Sequence, residues 1–280
     1  MSVAGVGRSA RRPRATMLAP SPLPMSDIAA IEYEYPLNER VRTFLRLEDL
    51  FDKLQYFCEQ EHPYAHHTAL LTLFEVLEVT SRADLKGDLL QELDRHKQTL
   101  LALRNNPQVS ESALAGVLAD IDRAHHALHG TPGKAGQHLR DNEWLTSIRS
   151  RASIPGGTCE FDLPSYHAWL MHDSAARARD LAHWVGSLDQ FKQGLAIVLR
   201  LLRETAHASQ QVAVQGSFQQ ALQGRSYSLI QVRVPHGIAA VPETSANKYM
   251  LWIRFTLAEG DMKPRPVERD VPFELALCAF

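Results

Sequence analysis

The chain has 280 residues, of which 45% are hydrophobic and 22% charged, with a formal net charge of -2. That is globular composition with enough length for one large core or two modest ones, so general disorder is excluded. Near-neutral charge excludes the global field of a nucleic-acid binder or an anionic-membrane binder, and three scattered cysteines, Cys58, Cys159 and Cys278, exclude a secreted disulfide framework and fit a reducing cytosol.

Residues 1–27 read as a disordered tail. Up to Pro24 it holds Arg8, Arg11, Arg12 and Arg14 with no acid, then prolines at 20, 22 and 24. Met17-Leu18-Ala19 is too short an apolar run for a signal peptide, and Met25 is a second candidate start. A strand is expected over 28–36, because Ile31, Tyr33 and Tyr35 alternate with Glu32 and Glu34 before Pro36 ends the pattern. Asn38 then caps a helix from Arg40 to Gln60, whose apolar positions Val41, Phe44, Leu47, Leu50, Phe51, Leu54 and Phe57 recur at three and four.

Helical signals continue after Pro63, from the capping pattern Ser81-x-x-Asp84, and over Ser112 to His129, until Gly130-Thr131-Pro132-Gly133 breaks the run. Further helices are expected over Asn142–Arg151, Ser174–Val185 and Leu188–His207. Between them Ser153-Ile154-Pro155-Gly156-Gly157 is a turn, followed by Cys159-Glu160-Phe161 and a short helix from near Pro164. No stretch approaches the roughly eighteen uninterrupted apolar residues that span a bilayer; the most apolar helix, around Leu195 to Leu202, is interrupted by Arg200 and Arg203.

From about Gln211 the period becomes alternating. Over Lys248–Leu257, Tyr249, Leu251, Ile253, Phe255 and Leu257 share one face, and Lys248, Met250, Trp252, Arg254 and Thr256 the other. Val271, Phe273, Leu275 and Leu277 repeat the pattern, as do Ile230, Val232 and Val234. A lone strand is unstable in water, so the segment at 28–36 must find its ladder in this region. The expected class is α+β: a mostly helical domain over 37–210, with a turn or strand segment at 153–163 near the β domain, and a smaller antiparallel β domain over 211–280 that the first strand completes.

Metal chemistry is tested by Cys58, His62 and His66, spaced by four, but Pro63 keeps them off a single straight helix, and no metal site is expected. Ile154-Pro155-Gly156-Gly157 lacks the glycine spacing and Lys-Ser/Thr of a phosphate loop, and neither G-x-S-x-G nor H-E-x-x-H occurs. No catalytic residue and no cofactor is expected. What remains is basic residues among apolar ones: Arg42 and Arg46 one turn apart on the first long helix, and Lys248 and Arg254 flanking Met250 and Trp252. Such a surface suits a partner with acidic and apolar groups, since arginine pairs two-pronged with carboxylates and tryptophan adds contact area. The alternative is a solvated helix face, with Trp252 packed under another helix.

The run Tyr35-Pro36-Leu37-Asn38-Glu39-Arg40-x-Arg42-Thr43-x-Leu45-Arg46-x-Glu48 resembles the opening motif of the Z-ring-associated protein D (ZapD) family. Glu92 to Arg95, Gly136-Gln137-x-Leu139-Arg140, Ile253-Arg254-Phe255 and Phe273 to Ala276 resemble further family motifs. The most specific block is Ser153-Ile154-Pro155-Gly156-Gly157-x-Cys159-x-Phe161-Asp162-Leu163-Pro164-x-x-His167-x-Trp169-Leu170. The resemblance runs from about Tyr33 to Cys278. It implies a non-enzymatic cytoplasmic homodimer at the mid-cell division site, each protomer holding the C-terminal tail of the division GTPase FtsZ in a basic pocket, so that the dimer cross-links filaments. It assigns partner binding to Arg46, Arg82, His167 and Arg254, with Arg42 and Lys248 as neighbours of the same kind. It implies no nucleic acid and no membrane insertion. Met250 and Glu143 stand where relatives carry arginine, a departure that bears on the outline of the pocket.

Overall fold

The computed structural model of the protein describes residues 29–81, 84–104, 106–131, 133–257 and 263–279. The expected tail at 1–27 lies outside them. Strand β1 (Ala30–Pro36) precedes helices α1 (Glu39–Cys58), α2 (Pro63–Ser81), α3 (Leu85–Leu101), α4 (Glu111–Gly130), α5 (Gln137–Arg140), α6 (Glu143–Ala152), α7 (Pro164–Leu170), α8 (Ser174–Gly186) and α9 (Asp189–Glu204). Strands β2 (His207–Ala213), β3 (Ser217–Ala221), β4 (Leu229–Pro235), β5 (Val241–Ala246), β6 (Met250–Leu257), β7 (Arg265–Pro266) and β8 (Val271–Cys278) follow. The class is α+β, as expected.

Short polar side chains start the helices by satisfying backbone N–H groups that have no partner within the helix. Asn38 Oδ1 accepts from the Val41 N–H at 2.9 Å, Asn142 Oδ1 from Leu145 at 3.0 Å and Asp173 Oδ1 from Ala176 at 2.9 Å. Pro63 opens α2 and Pro164 opens α7, where a missing donor costs nothing. The buried stripe of α1, from Val41 through Phe44, Leu47 and Leu50 to Leu54, is the stripe expected from spacing. It packs chiefly against α2, and Phe44, Leu47, Leu73, Leu77, Ile121 and Leu199 belong to one helical core.

The single turn α5 was not legible in the sequence. Gly136 enters it with φ +68°, and a Cβ there would collide with Leu77 Cδ2, so both backbone and space call for glycine. Residues 153–163 run as successive turns rather than a strand, closed by Leu163 N–H donating to Cys159 C=O at 2.9 Å. Behind them Tyr166 and Trp169 stack with centroids 5.8 Å apart, and Trp144 and Trp184 complete an aromatic cluster. Arg177 is buried and ties this corner together. It donates to His66 Nδ1 at 3.0 Å and to the carbonyls of Glu61 at 2.6 Å, Leu170 at 3.1 Å and His172.

The strands form two sheets, one ordered β1-β4-β8-β2 and the other β3-β6-β5 with β7 on β6. The first strand does join the C-terminal region: Tyr33 lies opposite Val232 and Tyr35 opposite Ile230 in an antiparallel ladder. The rings of Phe218 and Phe255, from one sheet, each lie 5.2 Å from Phe273 of the other, so the inner faces share a core with Ile230, Val232, Ile253 and Leu275.

Three details differ from the sequence reading. The helix expected to reach His207 ends at Glu204, and strand begins at His207 rather than near Gln211. As an edge strand, β2 is exposed from His207 to Gln210, so it lacks the apolar alternation that marks a half-buried strand. Tyr249 was expected on the inner face but is 65% exposed, because Asn247 Oδ1 accepts from the N–H groups of Tyr249 and Met250 and holds both Lys248 and Tyr249 in the turn before β6. Thr256, expected on the outer face, is buried, with its hydroxyl 3.5 Å from the Val241 carbonyl.

The two lobes meet along a polar seam beside a small apolar cluster of Val41, Leu202, Leu229 and Cys278. Arg203 of α9 grips Glu34 of β1 at 2.8 Å from both Nε and Nη2, and Glu48 of α1 at 2.8 and 2.6 Å. Gln231 Nε2 donates to Glu32 at 2.8 Å and Glu34 at 2.9 Å, and Arg233 pairs with Glu274 at 3.1 Å. The acidic face of β1 is therefore an internal joint.

Desolvated histidines are expected to make the fold acid-sensitive. Desolvation pushes His96 down from 6.5 to about 4, and it also lowers His66 and His67. The folded state holds these rings neutral while the unfolded chain protonates near pH 6.5, so stability is full above that value and falls as pH drops toward 4. The unfolding free energy is expected to fall by about 2 kcal/mol from pH 7 to pH 5 on account of His96 alone. Urea titration at the two pH values measures it, with a shallower fall in His96→Leu; an equal fall in that variant contradicts the assignment.

Candidate functional site

The outer face of the β3–β6–β5 sheet is the first candidate. Strand alternation sends Leu251, Ile253 and Phe255 into the core and leaves Trp252 and Arg254 outside. Register then assembles two rows across the strands: Ser217, Arg254 and Glu243 in one, Gln219, Trp252 and Ser245 in the other. Together they line a cavity of about 590 Å³. Trp252 keeps 40% of its surface exposed, so it is not packed under a helix. Arg254 makes no ion pair among the described residues, although Glu243 stands opposite it in the ladder. A free guanidinium beside an exposed indole can pair two-pronged with a carboxylate and stack an apolar or planar group.

The second candidate lies on α1. Arg42 and Arg46 share Glu39, whose Oε2 is 3.4 Å from Arg42 Nε and whose Oε1 is 3.7 Å from Arg46 Nη1. Arg42 also donates to the Pro36 carbonyl at 3.3 Å and lies 5.9 Å from the centroid of the Tyr35 ring. Arg46 borders a groove of about 510 Å³ between α1 and α2, floored by Leu50 and Phe74. Acid and base alternate along its walls: Lys53 holds Asp49 at 2.6 Å and Arg149 holds Glu78.

The remaining expected residues fall elsewhere. His167 on α7 is half-buried, with Nε2 3.7 Å from Glu160. Lys248 sits in the β5–β6 turn, its Nζ 5.9 Å from the Tyr249 ring centroid, and makes no ion pair among the described residues. Arg82 lies outside the described residues. Met250 begins β6, and Glu143 is the first-turn acid of α6. The fold thus brings Arg42 to Arg46 and Arg254 to Trp252. The two cavities share no lining residue, and no hydrogen bond or ion pair among the described residues links α1, His167 or Lys248 to Arg254.

Sequence reasoning missed Glu39 as a partner of both arginines, although its spacing of three and seven from them places it on the same helix face. Cys58 and Cys278 are raised by burial to about 11 and about 12, which makes them poor nucleophiles at neutral pH. Among the described residues no group of three or more His, Cys, Asp or Glu could hold a metal ion, and His66 already accepts from Arg177. No helix among them is long and apolar enough to cross a membrane.

Comparison with known proteins adds a family. The family model described as "ZapD: Cell division protein" matches residues 45–254. Proteins named "Cell division protein ZapD" from Cupriavidus metallidurans and Ralstonia pickettii are each 57% identical over 251 residues, covering 89% of this chain and 100% of theirs. The protein of the same name from Ralstonia nicotianae is 56% identical over the same spans.

Proposed function

The chain belongs to the ZapD family of cell division proteins, and from that premise we propose that it binds the C-terminal tail of FtsZ and cross-links FtsZ filaments as a homodimer, without enzymatic activity, in the cytoplasm at mid-cell. The observation that carries the reading is the unpaired Arg254 beside exposed Trp252, on a face rigidly set by three strands. An acidic tail with apolar side chains matches both groups. Arg46, Arg42, Lys248, His167 and Arg82 are assigned as further contacts or as long-range attraction for the same tail.

Two-fold symmetry converts this modest surface into a cross-linker. Each protomer presents one site, and once one tail is held, the second site meets a neighbouring filament at high local concentration. Weak capture by single tails is therefore compatible with firm bundling. Because the contacts are charged and exposed, bundling falls as salt is added.

The test is co-sedimentation. The purified protein is expected to pellet with polymerised FtsZ and to bundle it, and to stay in the supernatant when the filaments lack their C-terminal tail. Equal pelleting with tail-less filaments overturns the reading.

A further inference from the structure

The arginines of the two candidate surfaces differ in one respect. Arg254 carries no ion pair among the described residues, whereas Arg42 and Arg46 already hold a carboxylate, that of Glu39. We propose that Glu39 is an internal competitor: it occupies the α1 arginine pair in the free protein and is displaced when an acidic peptide binds. The proposal rests on the tail-binding reading above.

Three features fit a displaceable occupant. Glu39 is 75% exposed and its contacts are long, 3.4 and 3.7 Å, so the pair is weakly held. It lies in the first turn of α1, where the partial positive charge of the helix N-terminus stabilises its carboxylate even without an arginine. Arg42 is held independently by the Pro36 carbonyl and the Tyr35 ring, so its fork stays in place when Glu39 leaves. Arg46 is 63% exposed, with Glu39 as its ion-pair partner among the described residues, so displacement frees it fully.

The consequence is selectivity. A peptide must bring enough carboxylate to outcompete Glu39, so weakly acidic segments engage the β6 face alone, while strongly acidic ones engage both surfaces. Glu39 sets that threshold by repelling as well as by occupying, which is specificity built from an unfavourable contact.

The test is fluorescence anisotropy of a labelled FtsZ tail peptide with the full-length protein. Glu39→Gln is expected to bind about three- to fivefold more tightly than the parent, the scale of one exposed ion pair. The gain is expected to vanish when Arg42→Ala and Arg46→Ala are both added. Asp52→Asn, which removes an exposed charge farther along α1, serves as the control. Unchanged or weaker binding by Glu39→Gln, a gain that persists without both arginines, or an equal gain from Asp52→Asn overturns the proposal. Each of these leaves tail binding standing. If the parent protein does not bind the peptide, the tail-binding reading falls first and this inference with it.

Discussion

Arg203→Ala is expected to lower the unfolding free energy by about 2–4 kcal/mol, somewhat below the cost of breaking a fully buried pair because the partners keep 20–30% of their side-chain surface exposed. The guanidinium makes four hydrogen bonds to two carboxylates from different elements, and its own pKa is raised by Glu48 and Glu34. Its loss leaves Glu34 and Glu48 facing one another with no cation between them. Desolvation alone would raise the Glu34 carboxyl, but the Arg203 contacts outweigh it and hold it below 4.5. That stabilisation is present above the unfolded carboxylate range and disappears as pH falls through the lowered value. The deficit of Arg203→Ala is therefore expected to shrink as pH falls through the lowered Glu34 value. Guanidinium titration at pH 7 and pH 3.5 checks both halves; a deficit below about 0.5 kcal/mol at pH 7, the ordinary scale of a surface substitution, contradicts the clamp.

The second large effect is on binding. Arg254→Ala is expected to weaken capture of the FtsZ tail by about 1.5–3 kcal/mol, or roughly ten- to hundredfold, the usual worth of a charge-assisted two-pronged contact. An exposed ion pair alone would contribute far less, but a ligand seated over Trp252 excludes water from the contact, and shielding of that kind makes central arginines dominate interfaces. Bundling is expected to amplify the loss, since the proposed cross-link needs two such contacts. Arg254→Lys is expected to recover part of the affinity, keeping the charge without the planar fork. The exposed side chain supports no core contact, so thermal stability is expected to stay unchanged. Parent-level bundling by Arg254→Ala moves the site to α1.

Much of this was legible before the structure, and the reasons are specific. The stripe of α1 and the alternation of β6 each have one face against a core, so spacing found most of the buried positions, although it misplaced Tyr249 and Thr256 and left open whether Trp252 lay under another helix. The pairing of β1 followed from the instability of a lone strand. Edge strand β2 escaped notice because it is exposed over most of its length and carries no apolar rhythm. The seam escaped for a different reason: Arg203, Glu34 and Glu48 are joined across sequence separations of 155 and 169 residues, and no local pattern reports such a meeting. The basic pocket implied by the family resemblance is likewise a matter of tertiary placement. Arg42 and Arg46 lie on α1 and Arg254 on β6, and the two cavities beside them share no lining residue.

A co-crystal of the protein with the FtsZ tail peptide tests the proposed binding site most directly. The account predicts one peptide on each protomer, lying across β3, β6 and β5, with a carboxylate within hydrogen-bonding distance of the Arg254 guanidinium and an apolar side chain against Trp252. A peptide seated on another surface, with Arg254 and Trp252 still open to solvent, would contradict it.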